Sequence, residues 1–151
     1  MSRPVYFACI LIALIANAAG FVKAQVVMEV PRPFMPGVAK TVVRGNQAVI
    51  YYNPVALRRM GPAMDEFVRA HEYGHIRLGH FRRNMPQRIR EAEADIYAAR
   101  VASPRSVLAA RQWFISGNGG GLYHGSPRAR AARVSRSMSF QPNYRLGIRN
   151  R

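Results

Sequence analysis

The segment His71-Glu72-Tyr73-Gly74-His75 carries two imidazoles four residues apart, with a carboxylate directly after the first. On a helix this spacing puts both rings on one face, one turn apart, where they can share a single ion. Glu72 stands beside them and can take a proton from a water activated by that ion, the division of labour in an HExxH zinc site. A catalytic zinc takes three protein ligands and keeps one position open. The third ligand must come from elsewhere in the chain, and it is not a cysteine, because Cys9 is the only one and lies in the apolar N-terminal run. His80 would fit the extended pattern HExxHxxGxxH only with glycine at 78 and histidine at 81. The chain has Leu78 and Phe81, so His80 reads as a polar residue just past the end of the helix.

The other candidates sit in Arg90-Glu91-Ala92-Glu93-Ala94-Asp95. The whole chain has seven acids, and three of them fall here. On a helix Glu91 and Asp95 share a face, while Glu93 points away. One of the two can complete the metal site and the other can accept a hydrogen bond from the second nitrogen of a ligating histidine. A plain surface cluster balancing nearby arginines has the same composition.

These residues need elements to hold them. Residues 26–30 and 40–52 are rich in Val, Ile and Tyr, and Gly45-Asn46 between two such runs reads as a hairpin turn. Pro31, Pro33 and Pro36 break the stretch between the first strand and the hairpin. Asn53-Pro54 closes the last strand, and residues 55–60 form one short helix. Gly61-Pro62 opens a longer one, with Asp65 and Glu66 early in it, where negative charge suits the helix dipole. Phe67, His71, His75 and Leu78 then recur on one face, and Gly79 is a natural stop. Further helices are expected over 86–102, 106–116 and 127–137, with a flexible glycine loop at 117–121. The fold class expected is α+β, with a small, mostly antiparallel sheet packed on the two helices that bear the ligands.

HEYGH followed by EAEAD resembles the gluzincin endopeptidases of the HtpX and CAAX-processing kind. The resemblance covers roughly residues 50–136. In that family the third zinc ligand is the first Glu of an ExxAD motif, which implies Glu91 here, with Asp95 as the acid that orients a ligating histidine. A later histidine with an arginine six residues on steadies the oxyanion. His124 and Arg130 match that spacing, although Gly125 stands where the family usually has proline, and Tyr123 can offer a phenol for the same task. Only sixteen positions separate His75 from Glu91, which resembles the minimal soluble members called minigluzincins, in which a short turn joins the two active-site helices. The resemblance thus implies a zincin-like metallopeptidase acting on a peptide or protein, with His71, His75 and Glu91 on Zn2+ and Glu72, His124 and Arg130 in catalysis.

The ends and the charge set the wider frame. Met1-Ser2-Arg3, the apolar run from Val5 to Phe21, and Val22-Lys23-Ala24 have the layout of a secretory signal cleaved after Ala24. The expectation is a secreted or periplasmic protein, bacterial in its style of leader, with a metallopeptidase domain over 25–137 and a basic, loose tail over 138–151. A retained leader acting as an anchor is the alternative. The formal net charge is +16, and the leader accounts for only Arg3 and Lys23 of it. Such charge favours anionic envelope polymers or lipid headgroups. No nucleic-acid recognition module accompanies it, so no specific nucleic-acid partner is expected. Two other readings stand beside the peptidase: an inactive zinc-binding protein that holds a peptide or partner, and a basic envelope- or nucleic-acid-binding protein in which HExxH is incidental.

Overall fold

The computed structural model describes residues 26–138; the expected leader and the tail beyond Met138 lie outside the described residues. Within them the chain is α+β, with three strands followed by five helices. β1 (Val26–Pro31) is followed by β2 (Ala39–Arg44) and β3 (Gln47–Tyr52). Gly45, at φ 58°, makes the tight reversal that pairs Arg44 with Gln47 and sets β2 antiparallel to β3. The expectation of a mostly antiparallel sheet needs correction. The strand order is β1-β3-β2, and β1 runs parallel to β3, so the sheet is mixed. The proline-rich segment 32–38 reverses the chain across the width of one strand, and β3 enters that gap. β2 is therefore an edge strand, and its Thr41 faces the helices.

Local chemistry sets the helix boundaries. Asn53 caps α1 (Pro54–Met60), its side-chain oxygen accepting from Val55 N and Ala56 N. Gly61, at φ 86°, ends α1, and Pro62 starts α2 (Pro62–Arg77) directly after it. α3 (Gln87–Val101) follows a short turn that begins at Leu78. Ser103 caps α4 (Pro104–Ile115), and the Glu66 carboxylate accepts from Ser103 N, Ser103 Oγ and Ser106 Oγ, tying this cap to α2. α5 (Pro127–Met138) closes the described chain. Among the described residues no helix is long and apolar enough to cross a membrane.

α2 lies between two apolar clusters. One side carries Met64 and Phe67 into a core with Ala98, Ala99, Ala102, Val107, Phe114 and Val134. The other presents Ile76, with Tyr73 beside it, to Val27, Ala48 and Ile50 of the sheet. α3 lies close against α2 because Gly74 has no side chain: a Cβ there would meet Ala94 Cα and Tyr97 Cβ, each at 3.2 Å. That close approach brings the acids of α3 to the histidines of α2.

Candidate metal centre

The two helices bring His71, His75 and Glu91 to one point. His71 Nε2 is 3.2 Å from His75 Nε2 and 3.2 Å from Glu91 Oε2, and His75 Nε2 is 3.5 Å from the same carboxylate oxygen. All three side chains are buried. A third histidine joins them from the glycine-rich loop before α5: His124 Nε2 lies 3.0 Å from Glu91 Oε2. His71, Glu91 and His124 each offer a ligand atom within 4.8 Å of the others, and this group can hold a metal ion. His124 is thus closer to the Glu91 carboxylate than an oxyanion-binding role alone requires.

His71 and Glu72 are each held from behind. Asp95, with no exposed surface, accepts from His71 Nδ1 at 3.0 Å. Arg130 donates to both Asp95 oxygens, from Nη2 at 2.6 Å and Nε at 3.0 Å, and Arg133 adds a further contact to Oδ2. The third guanidinium nitrogen of Arg130 donates to Gly119 O at 2.7 Å, and the group stacks over Phe114. All three nitrogens of Arg130 therefore have protein partners, which the sequence reading of Arg130 as an oxyanion group did not include. Glu72 is buried and accepts from Thr41 Oγ1 at 2.6 Å, so the edge strand fixes the orientation of the proposed base.

Charge is concentrated at the centre. Burial alone would lower the His71 pKa, but hydrogen bonds to Asp95 and Glu91 outweigh it, and the value is pushed up to about 9. Burial would raise Glu91, yet hydrogen bonds from His124, His71 and His75 hold its carboxyl well below the usual range. Asp95 is likewise depressed, burial being overcome by His71 and Arg130. Asp95 is thus balanced by Arg130 and Arg133, while Glu91 faces only the histidines, so a cation bound there would take the place of the proton that His71 otherwise holds.

A cleft of two lobes opens over these residues. One lobe, about 410 Å³, is lined by Met60, Met64, Phe67, Val68 and Trp113 and is largely apolar. The other, about 340 Å³, is lined by Lys40, Thr41, Gln87, Arg90 and Phe81. Ala39, Glu72 and His124 border both. A larger open depression of about 820 Å³ lies over residues 117–127 and reaches the centre through His124 and, behind it, Arg133.

Two features went unread in the sequence. His80 lies just past the end of α2, as expected, but it is fully buried, with Nδ1 2.9 Å from His75 Nδ1. Glu93 stays clear of the ligand cluster, as expected from its helix face, but it meets His80 Nε2 at 3.0 Å. The pairing of Gly79 with a histidine directly after it was the available signal. No protein-family model, curated protein or solved structure matches the chain.

Proposed function

We propose that this chain is a zinc-dependent metalloendopeptidase with a zincin-like site. The observation that carries the reading is the spacing of His71 Nε2, His75 Nε2 and Glu91 Oε2 at 3.2, 3.2 and 3.5 Å. Ligands about 2.0–2.1 Å from a tetrahedral zinc lie roughly 3.3 Å from one another, so this donor set fits the ion in distance and in chemistry. Zinc held there supplies a Lewis acid that polarises the substrate carbonyl and makes water more acidic.

The chain's own residues supply the rest. Glu72, oriented by Thr41, takes the proton of the attacking water and delivers it to the leaving amine. Glu72 and His124 line both lobes, and in this reading a peptide lies across them, the His124 imidazole leaving Glu91 to donate to the developing oxyanion. Arg130 acts through Asp95 and the Gly119 carbonyl, holding His71 and the loop that bears His124. The apolar lobe suits a large apolar side chain beside the scissile bond. An exported form would meet such peptides outside the cytoplasm, where its basic surface favours anionic polymers or lipid headgroups.

The test is Glu72→Gln assayed on an unstructured protein substrate, with zinc content measured in parallel. Zinc should remain, and hydrolysis should fall by at least about 100-fold, the lower range for loss of a general base. Unchanged hydrolysis would refute the mechanism. The closeness of His124 to Glu91 favours a second reading, in which His124 fills the fourth metal position and the protein binds zinc without catalysis. A wild-type chain that holds zinc and cleaves nothing is the outcome that supports it.

A further inference from the structure

The C-terminus of α2 closes in a Schellman arrangement. Gly79 adopts φ 65°, its N–H donates to Ile76 O at 3.1 Å, and the next N–H, of His80, reaches back to His75 O at 3.0 Å. This motif brings the residue after the glycine against the side chain near the helix end, and the contact is ordinarily apolar. Here it joins two imidazoles. Their Nδ1 atoms are 2.9 Å apart and their planes meet at 73°. His80 has no exposed surface, and its other nitrogen, Nε2, is 3.0 Å from Glu93 Oε2. The same oxygen accepts from Arg83 Nη1 at 2.9 Å.

From this we propose that His80 and Glu93 are positioning residues for the metal ligand His75. The inference rests on the metal-centre reading above. Bound through Nε2, His75 carries its proton on Nδ1 and donates it to His80 Nδ1. His80 then carries its own proton on Nε2 and donates to Glu93. This assignment alone gives each contact one donor and one acceptor while leaving His75 Nε2 free for the ion. The ring of His75 is thereby fixed in tautomer and angle, as His71 is fixed by Asp95. The two supports differ in burial. The Asp95 support is enclosed, whereas the His80 support ends at the surface, with Glu93 33% and Arg83 47% exposed.

The test compares zinc affinity, by chelator competition, for the full wild-type chain, His80→Phe, His80→Asn and Glu93→Gln. Phenylalanine keeps the ring volume and removes the acceptor. Asparagine places an amide oxygen near the position of the imidazole Nδ1 and restores it. Expected are affinity about 10–100-fold weaker for His80→Phe, the range known for partners of ligating histidines, and partial recovery for His80→Asn, which restores the acceptor without the link to Glu93. Glu93→Gln should fall between wild type and His80→Phe. The cobalt-loaded protein gives a second readout: the exchangeable Nδ1–H resonance of His75 should shift or exchange faster in His80→Phe and Glu93→Gln. Glu93 is a third exposed and outside the apolar clusters, so a moved resonance in Glu93→Gln reports the hydrogen-bond chain to His75. If His80→Phe does not fold, His80→Asn and Glu93→Gln decide the matter. Wild-type affinity and an unmoved resonance in Glu93→Gln would overturn the proposal while leaving the zinc centre standing. Absence of zinc from the wild type would instead remove the centre itself, and the proposal with it.

Discussion

Replacing Asp95 with asparagine isolates the electrostatic support beneath the centre. Asp95 has no exposed surface and accepts from His71, from Arg130 through two nitrogens, and from Arg133. Asparagine preserves size and one oxygen. If that oxygen stays on the His71 side, the amide N–H2 faces Arg130 Nε and Arg133 Nη1, setting donors against donors. Breaking a buried ion pair from one side costs about 3–5 kcal/mol. The Arg130 and Arg133 side chains retain 10% and 17% exposure, which argues for the lower end, about 3 kcal/mol. For a domain of about 100 residues that lowers Tm by roughly 10–20 °C. Zinc affinity should fall by about 10–100-fold as well, because His71 loses its ionised partner. The assay is thermal unfolding by circular dichroism in chelator, then with excess zinc, for Asp95→Asn, Arg130→Met and the double variant. The double variant should lose less than the sum of the singles, by roughly 1–3 kcal/mol, because the orphaned guanidinium is gone. Additive losses, or a Tm for Asp95→Asn within about 2 °C of wild type, would refute the reasoning.

Two further tests follow from other contacts. Gly74→Ala puts a Cβ 3.2 Å from Ala94 Cα and from Tyr97 Cβ. Overpacking of about 1–3 kcal/mol is partly offset by the roughly 1 kcal/mol gained in helix propensity. Stability in chelator should therefore change little or fall slightly, while separation of α2 from α3 weakens zinc binding several-fold by chelator competition; unchanged binding would show that the helix spacing does not set the site. Glu66 is held below its ordinary pKa of 4.5, chiefly by the Ser106 hydrogen bond, against burial and with help from Ser103. A depressed pKa in the fold means a contribution that is complete above pH 4.5 and lost as pH falls through the folded value. Glu66→Gln should accordingly be less stable than wild type in urea at pH 7 and approach it as the pH drops below 4.5; a gap that stays constant or widens toward acid would contradict the assignment.

Much of this architecture was legible because local chemistry dictates it. Asn53-Pro54, Gly61-Pro62 and Ser103-Pro104 punctuate the helices, and Gly45-Asn46 marks the hairpin; each was found near its expected place. His71 and His75 were legible because helical spacing puts them on one face; spacing left Glu91 and Asp95 as alternatives, and it was the resemblance that implied Glu91. The neighbour of β1 was not legible, since Val27 and its flanking residues suit either side of the hairpin and only packing against Ile76 and Tyr73 selects β3. The partners of Arg130 were hidden for a related reason. In a chain with 23 basic residues, nothing local distinguishes the arginine that Asp95 holds from its neighbours. The burial of His80 and its contact with His75 were not legible, because they depend on the glycine turn that folds the chain back after the helix end.

The most direct measurement is the zinc content of the purified chain, wild type beside Glu91→Ala, after metal loading and gel filtration. Expected is about one zinc per wild-type chain, from a single three-ligand site, and loss of that zinc in a Glu91→Ala protein that still folds. A wild type without zinc, or a Glu91→Ala variant that keeps it, would contradict the account.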